Sequence, residues 1–234
     1  VTVALRNISF NGRPHRYWVF HADGLPAPLR LVSTHTTAAF EAVGSSRFFL
    51  TEDGRLLAKV VSDKFDKRRA PLDWFGRDYL EKRWLLQSNA RKELLSLRIL
   101  QRAGLTTPHC HGWGLSLNPS NPSASLLLME HRQDARPGGE VFDALDEQGR
   151  LRFLERFCEE VVTLAHAGYV HRDLHYNNLL IDANGGLVWI DTHVRRLPRK
   201  RADHWPALER SLSVTKLRGA KYRALAIEQL RRLL

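Results

Sequence analysis

Cysteine is scarce: Cys110 and Cys158 are the only two in 234 residues. That excludes a disulfide-stapled secreted scaffold and suits a reduced, cytoplasmic protein with two ordinary thiols. Long apolar runs are missing too; nothing approaches the roughly 18–20 residues a spanning helix needs. Val1–Phe10 does not read as a basic-then-apolar leader. Acidic residues are in deficit, with 25 Asp and Glu against 36 Lys and Arg, a net charge of +11. The surplus is uneven, because residues 191–234 hold twelve Lys/Arg and only four Asp/Glu. Such a surface favours an anionic partner: nucleic acid, an acidic membrane or a phosphorylated substrate. Zinc-finger spacing and an aromatic RNP-like motif are both lacking, so no nucleic-acid partner is expected. His109-Cys110-His111 is too tightly spaced for one tetrahedral zinc. A 43% hydrophobic content supports a real core, in one compact two-lobed domain or two small ones.

Residues 1–33 show no clear period, although Ile8–Phe10 and Tyr17–Phe20 suit short strands. From Ala38 the pattern predicts an antiparallel meander of Ala38–Val43, Arg47–Thr51 and Leu56–Val61, with an Asp53-Gly54 hairpin signal. Lys64–Ser88 is basic and aromatic. Asn89 then caps a predicted helix whose stripe is Leu94, Leu95, Leu97 and Leu100, ended by Gly104. Two strands follow, near Cys110–Leu117 and Ala124–Glu130. Gln133–Glu140, with Pro137-Gly138-Gly139, reads as a linker. Leu151, Leu154, Phe157, Cys158, Val161, Val162 and Ala165 recur at helical spacing. A hairpin of Leu179–Ile181 and Leu187–Ile190 comes next, and two short helices are expected from Trp205.

The chemistry concentrates between His171 and Asp191. Asp173 and Asn178 lie five apart on one loop, and Asp191 falls thirteen residues later, at the end of the hairpin's second strand. A loop and a returning strand can bring three oxygen-bearing side chains to one point. Phosphoryl transfer needs that kind of positioning and charge neutralisation. Mg²⁺ takes only one or two protein oxygens, phosphates and water completing its shell. Asn178 and Asp191 supply those oxygens, and Asp173 is left to accept the proton of the acceptor hydroxyl.

His171-Arg172-Asp173-Leu174-x-x-x-Asn178 resembles the catalytic loop of protein-kinase-like enzymes at every fixed position. The resemblance implies an α+β, two-lobed protein-kinase-like fold using ATP and Mg²⁺. Its N-lobe, residues 1–131, would hold an antiparallel sheet and the Glu93 helix; residues 132–234 would form a short, mainly helical C-lobe with the catalytic loop. It also implies roles for Lys59 as the phosphate-binding lysine and for Glu93 as its partner, residues that on their own are usually surface charges. Met129-Glu130-His131-Arg132 falls where backbone would meet adenine. Three departures stand out. The glycine-rich loop is reduced to Gly44-Ser45-Ser46-Arg47, and Asp191-Thr192-His193 replaces Asp-Phe-Gly. No Ala-Pro-Glu follows, and 43 residues after Asp191 are too few for a peptide-binding lobe. A glycan or small-molecule hydroxyl is the more natural acceptor.

Within these enzymes the chain is similar to bacterial lipopolysaccharide core kinases acting on heptose or Kdo, over roughly residues 38–195. The likeness rests on Phe40-Glu-Ala-Val-Gly44, Leu57-Ala-Lys-Val60, Ala90-Arg-Lys-Glu93-Leu, Ala103-Gly-Leu-Thr-Thr-Pro108 and the short C-terminal part. It implies a cytoplasmic enzyme working on an anionic glycolipid at the inner membrane. Arg195, Arg196 and Arg199 would receive sugar or phosphate, or else form part of a solvated basic loop. Trp74, Phe75, Tyr79 and Trp84, set among Lys67, Arg68, Arg69, Lys82 and Arg83, would rest on an acidic membrane surface or pack internally. A RIO-like atypical protein kinase, an antibiotic phosphotransferase and a pseudokinase that only binds a partner are the rival readings.

Overall fold

In the computed structural model, residues 2–20, 24–41, 46–121, 123–190 and 193–234 are described. The chain divides into two compact units. Residues 1–95 and 109–133 form the first; 96–108 and 134–234 form the second.

In the first unit, β1 (Val3–Phe10) and β2 (Arg13–Phe20) form a long hairpin. Asn11 and Gly12 turn it at φ of 48° and 82°, the two-residue type I′ turn for which Asn-Gly is preferred. β3 (Leu29–Val32) pairs parallel to β1, Ile8 opposite Leu29. Helix α1 (His35–Glu41), β4 (Arg47–Thr51) and β5 (Leu56–Val61) follow. Helix α2 (Pro71–Asp73) runs directly into a π-helix, Trp74–Trp84. Helix α3 (Asn89–Arg102) begins in this unit; β6 (Cys110–Leu115) and β7 (Ser125–Glu130) complete it. The strands close into a barrel in the order β1-β2-β6-β7-β5-β4-β3. Ile8, Tyr17, Val19, Leu31, Ala58, Val60, Leu126 and Leu128 fill its interior. Fully burying such an aliphatic side chain is worth roughly 1.5–3 kcal/mol.

This arrangement corrects the expected two-lobed kinase-like fold. In place of the expected antiparallel N-lobe sheet there is a closed, mixed seven-stranded barrel. The first thirty-odd residues, which showed no period, supply three of its strands, and β3 closes it with parallel pairing. The strand expected at Ala38–Val43 is also overturned: its described part lies in helix α1. Thr34 and Thr37 exchange side-chain and backbone hydrogen bonds at that helix start, at 2.8 and 3.2 Å. This local cap decides an apolar run that is ambiguous between helix and strand.

The basic, aromatic insert is locked from within. Arg83 is fully buried and donates to the Ser116, Asn121 and Asp78 carbonyls and to the Asp63 carboxylate, at 2.9–3.3 Å. Trp74, also buried, donates its indole N–H to Asp63 at 2.9 Å. Leu85 N–H bonds the Leu80 carbonyl, the i→i+5 pattern of a π-helix. Residues four to five apart therefore share a face. Trp74, Asp78 and Arg83 lie along the buried stripe; Phe75, Leu80 and Trp84 lie along an exposed one.

The second unit begins with the end of α3. β8 (Arg136–Pro137), α4 (Gly138–Ala144) and α5 (Glu147–His166) come next. The expected linker at 133–140 is thus partly strand and helix. β9 (Tyr169–His171), β10 (Leu179–Ile181), β11 (Leu187–Trp189) and β12 (Val194–Arg196) form two small sheets, β11-β10-β8 and β12-β9. Helices α6 (His204–Glu209) and α7 (Ala220–Leu233) end the chain. Phe142, Leu154, Phe157, Val161, Tyr176 and Trp189 belong to one core with Leu212, Leu217 and Leu230. Asp146 caps α5 by accepting from Gly149 N–H at 2.7 Å. Among the described residues no helix is long and apolar enough to cross a membrane.

Candidate active site

In the first unit, Lys59 sits on β5, paired with Phe48 of β4 and Leu127 of β7. Strand alternation sends Ala58 and Val60 into the barrel core and Lys59 to the other face. Its ammonium meets Glu93 of α3 at 2.9 Å, with side chains 12% and 13% exposed. Of the reduced glycine-rich segment, Gly44 and Ser45 lie outside the described residues. Ser46 sits in a bend, and Arg47 opens β4 with its guanidinium 5.1 Å from the Phe49 ring centroid. Glu41 braces this segment by accepting from Phe48 N–H at 2.9 Å. At the expected adenine segment, Glu130 N–H bonds the His109 carbonyl and His131 N–H the Arg55 carbonyl, both at 2.8 Å. The Arg132 guanidinium is 3.8 Å from Glu130.

In the second unit, the loop between β9 and β10 is held from below. His171 is fully buried and faces Trp189 at 5.5 Å, and its Nδ1 accepts the backbone N–H of Asp173 at 3.2 Å. Leu174 is buried, and Tyr176 stacks on Phe142 at 4.3 Å. Asn178 donates its amide N–H to the Asp173 carbonyl at 2.8 Å, which closes the loop on itself. Ile190, the residue before Asp191, donates its N–H to the Asn178 carbonyl at 2.9 Å. Asp191 itself, like Thr192, lies outside the described residues. Arg195 and Arg196 are exposed neighbours on β12, so strand alternation sends them to opposite faces; Arg199 is exposed beyond them.

Two features escaped the sequence. Gly138 and Gly139 pack on the loop, where a Cβ at Gly139 would come 2.0 Å from Asn177 Oδ1 and one at Gly138 2.7 Å from the Tyr176 carbonyl. Pro-Gly-Gly signalled a turn but not this close approach. The other feature is Lys216, whose ammonium donates to both oxygens of Asp173 at 2.6 and 2.8 Å. His175 Nε2 is 3.5 Å from the same carboxylate. Burial opposes ionisation of Asp173, but the Lys216 hydrogen bond and the nearby charges of His175, Lys216 and His171 outweigh it and hold the carboxyl below its ordinary range. No local pattern links positions 43 residues apart. A cavity of about 240 Å³ beside β1, lined by Arg6, Ile8, Leu25 and Pro28 among others, contains none of the expected site residues.

No family profile matches the chain. Over 87 residues it is 36% identical to CBL-interacting serine/threonine-protein kinase 24 of Arabidopsis thaliana, and over 89 residues 32% identical to maternal embryonic leucine zipper kinase of Xenopus tropicalis. These stretches cover 35% and 36% of this chain but only 19% and 13% of those relatives. Among solved structures, WaaP in complex with acyl carrier protein is similar, with a TM-score of 0.51 at 19% identity, covering 84% of this chain and 82% of that one. The chain is kinase-like in sequence over the matched stretches and WaaP-like in fold.

Proposed function

We propose that the chain is an ATP-dependent phosphotransferase that phosphorylates a sugar hydroxyl, heptose or Kdo, of the lipopolysaccharide inner core. The carrying observation is the loop on which the Asn178 amide donates to the Asp173 main-chain carbonyl and a buried histidine accepts the Asp173 backbone N–H, so that the two residues are held on one turn of chain. Kinase-named relatives in sequence support the reaction class, and the core-kinase motifs support the acceptor. In this reading Lys59, held by Glu93, binds nucleotide phosphates. Gly44, Ser45, Ser46 and Arg47 cover them, and Glu130, His131 and Arg132 border the adenine. Asp173 takes the proton from the acceptor hydroxyl, whose oxygen bonds to the γ-phosphorus as ADP leaves with the electron pair of the broken P–O bond. Arg195, Arg196 and Arg199 attract the anionic glycan.

Asn178 suits a hard cation, because its amide nitrogen is committed to the Asp173 carbonyl and the oxygen remains the coordinating end. Among the described residues no cluster of three or more His, Cys, Asp or Glu is placed to hold a metal by itself. A Mg²⁺ held by Asn178 and Asp191 would share its shell with phosphate and water and neutralise phosphate charge.

The glycolipid acceptor also supports a cytoplasmic protein resting on an anionic bilayer. Leu72 (87% exposed), Trp84 and Leu85 (both 63%) and Phe75 (50%) project from the locked insert. Lys67, Arg68, Arg69 and Arg77 of the same segment are exposed too. Exposed aromatic, leucine and basic side chains on one segment suit an acidic lipid interface. Trp74, buried against Asp63, is no part of this surface. The test of the reading is an acceptor screen with labelled ATP against core oligosaccharide, basic protein and aminoglycoside. Labelling of the core alone supports it; labelling of protein or aminoglycoside alone assigns the chain to one of those kinases instead.

A further inference from the structure

We infer that Lys216 is a second cation of the transfer step: it holds the Asp173 carboxylate before phosphoryl donor arrives and moves its contact to the transferring phosphoryl group. This rests on the phosphotransferase reading above.

The geometry places the ammonium where both tasks are within reach. Lys216 Nζ is 2.6 and 2.8 Å from the two Asp173 oxygens. A hydroxyl bonded to Asp173 holds its oxygen within about 3 Å of that carboxylate, and the attacked phosphorus must come within roughly 3–3.5 Å of the hydroxyl oxygen. An ammonium already touching the carboxylate is then a short side-chain swing from the phosphoryl oxygens. Those oxygens carry more negative charge than one carboxylate, so they compete well for it.

The supporting scaffold is built onto the catalytic loop. Leu174 N–H bonds the Ser211 carbonyl at 3.1 Å, and Leu174 bridges Leu212 in parallel. Leu212 and Leu217 are buried on either side of the lysine. Arg218, at a φ of 63°, makes a two-pronged contact with Asp143 at 2.9–3.1 Å. The segment is therefore anchored, while the Lys216 side chain stays 45% exposed. An ion pair this exposed adds little to stability, so stability does not account for presenting a lysine there.

The step balances without proton transfer from the lysine. The hydroxyl proton passes to Asp173, the O–P bond forms, and the bond to the leaving diphosphate breaks with its electrons on the diphosphate. Lys216 supplies charge, freeing the carboxylate as it moves.

The experiment compares wild type, Lys216→Met and Lys216→Arg in the full chain, with ATP and the acceptor that wild type labels. Removing one such charge contact is expected to lower kcat of the Met variant about 100-fold. KM for ATP should stay within about threefold, because the contact strengthens in the transition state. The Arg variant should recover at least about tenfold of the loss by keeping the charge, and all three proteins should melt together. An unchanged kcat in Lys216→Met overturns the inference. So does a loss that Arg does not relieve and that tracks a lower melting temperature, since that is a structural role. A wild type inert towards ATP and every acceptor overturns the phosphotransferase reading, and this role with it. An active wild type indifferent to Lys216 overturns this role alone.

Discussion

Lys59–Glu93 and Lys216–Asp173 are chemically the same contact, an ammonium on a carboxylate at 2.9 and 2.6 Å. Their surroundings differ. The first joins a barrel strand to a helix in one unit, and both side chains are nearly buried. The second joins a loop to a distant turn in the other unit, and both side chains are more than a third exposed. A buried pair serves stability and ligand binding together, since removing one partner leaves a desolvated charge. An exposed pair can be opened at little cost, which suits a contact that must exchange partners.

The largest effect should come from Asp173, the carboxylate of the exposed pair. Asp173→Ala is expected to lower the transfer rate by roughly 10²–10⁴. Nucleotide affinity, measured by fluorescence titration, should stay near wild type. A variant that turns over normally removes Asp173 from the reaction. Lys59→Met should instead strike both binding and stability: weaker ATP binding, and a loss of about 1–3 kcal/mol in denaturant unfolding. If Lys59→Met is as stable as Lys216→Met, the two pairs do not differ as their burial implies.

A smaller effect tests whether the first unit has a surface duty of its own. Leu72→Ala, Trp84→Ala and Leu85→Ala combined should reduce sedimentation with anionic phosphatidylglycerol vesicles about tenfold or more. Unfolding should not change, because these side chains are exposed. Binding by wild type to neutral vesicles as strong as to anionic ones would contradict the electrostatic part.

The smallest effect concerns the floor of the loop. Burial pushes the Glu160 carboxyl up, against the hydrogen bond it accepts from the Trp189 indole. A carboxyl raised on folding contributes most below its unfolded pKa of about 4.3 and loses that contribution as pH rises through the folded value. Glu160→Gln, which keeps an acceptor for Trp189, should therefore raise the melting temperature by a few degrees at pH 7 and by less near pH 4. A gain that does not depend on pH would point to packing rather than charge.

What the sequence disclosed follows the range of each interaction. The loop at 171–178 was legible because the residues that bond it to itself, His171, Asp173 and Asn178, lie within eight positions. Lys59 and Glu93 became legible only through the resemblance which that loop supported. Barrel closure was not legible, since β3 pairs parallel with β1 and nothing local records a parallel partner. The β1–β2 hairpin has a local signal in its Asn11-Gly12 turn. On the predicted stripe of α3, Leu94, Leu97 and Leu100 are buried, while the adjoining Leu95 is 47% exposed. Aromatic content left the insert open between a membrane-facing surface and internal packing; a buried arginine and Asp63 decide for the interior at Trp74. Lys216 had no sequence signal, because its contact with Asp173 depends on where residues 211–219 are anchored.

The most direct measurement is phosphate incorporation into dephosphorylated core glycolipid, read by mass spectrometry, with wild type beside Asp173→Ala. The account predicts one added phosphate (about 80 Da) on a core sugar with wild type, dependent on ATP and Mg²⁺, and none above background with the variant. Equal incorporation by both proteins, or none by wild type alongside clear labelling of a protein or an aminoglycoside, would contradict it.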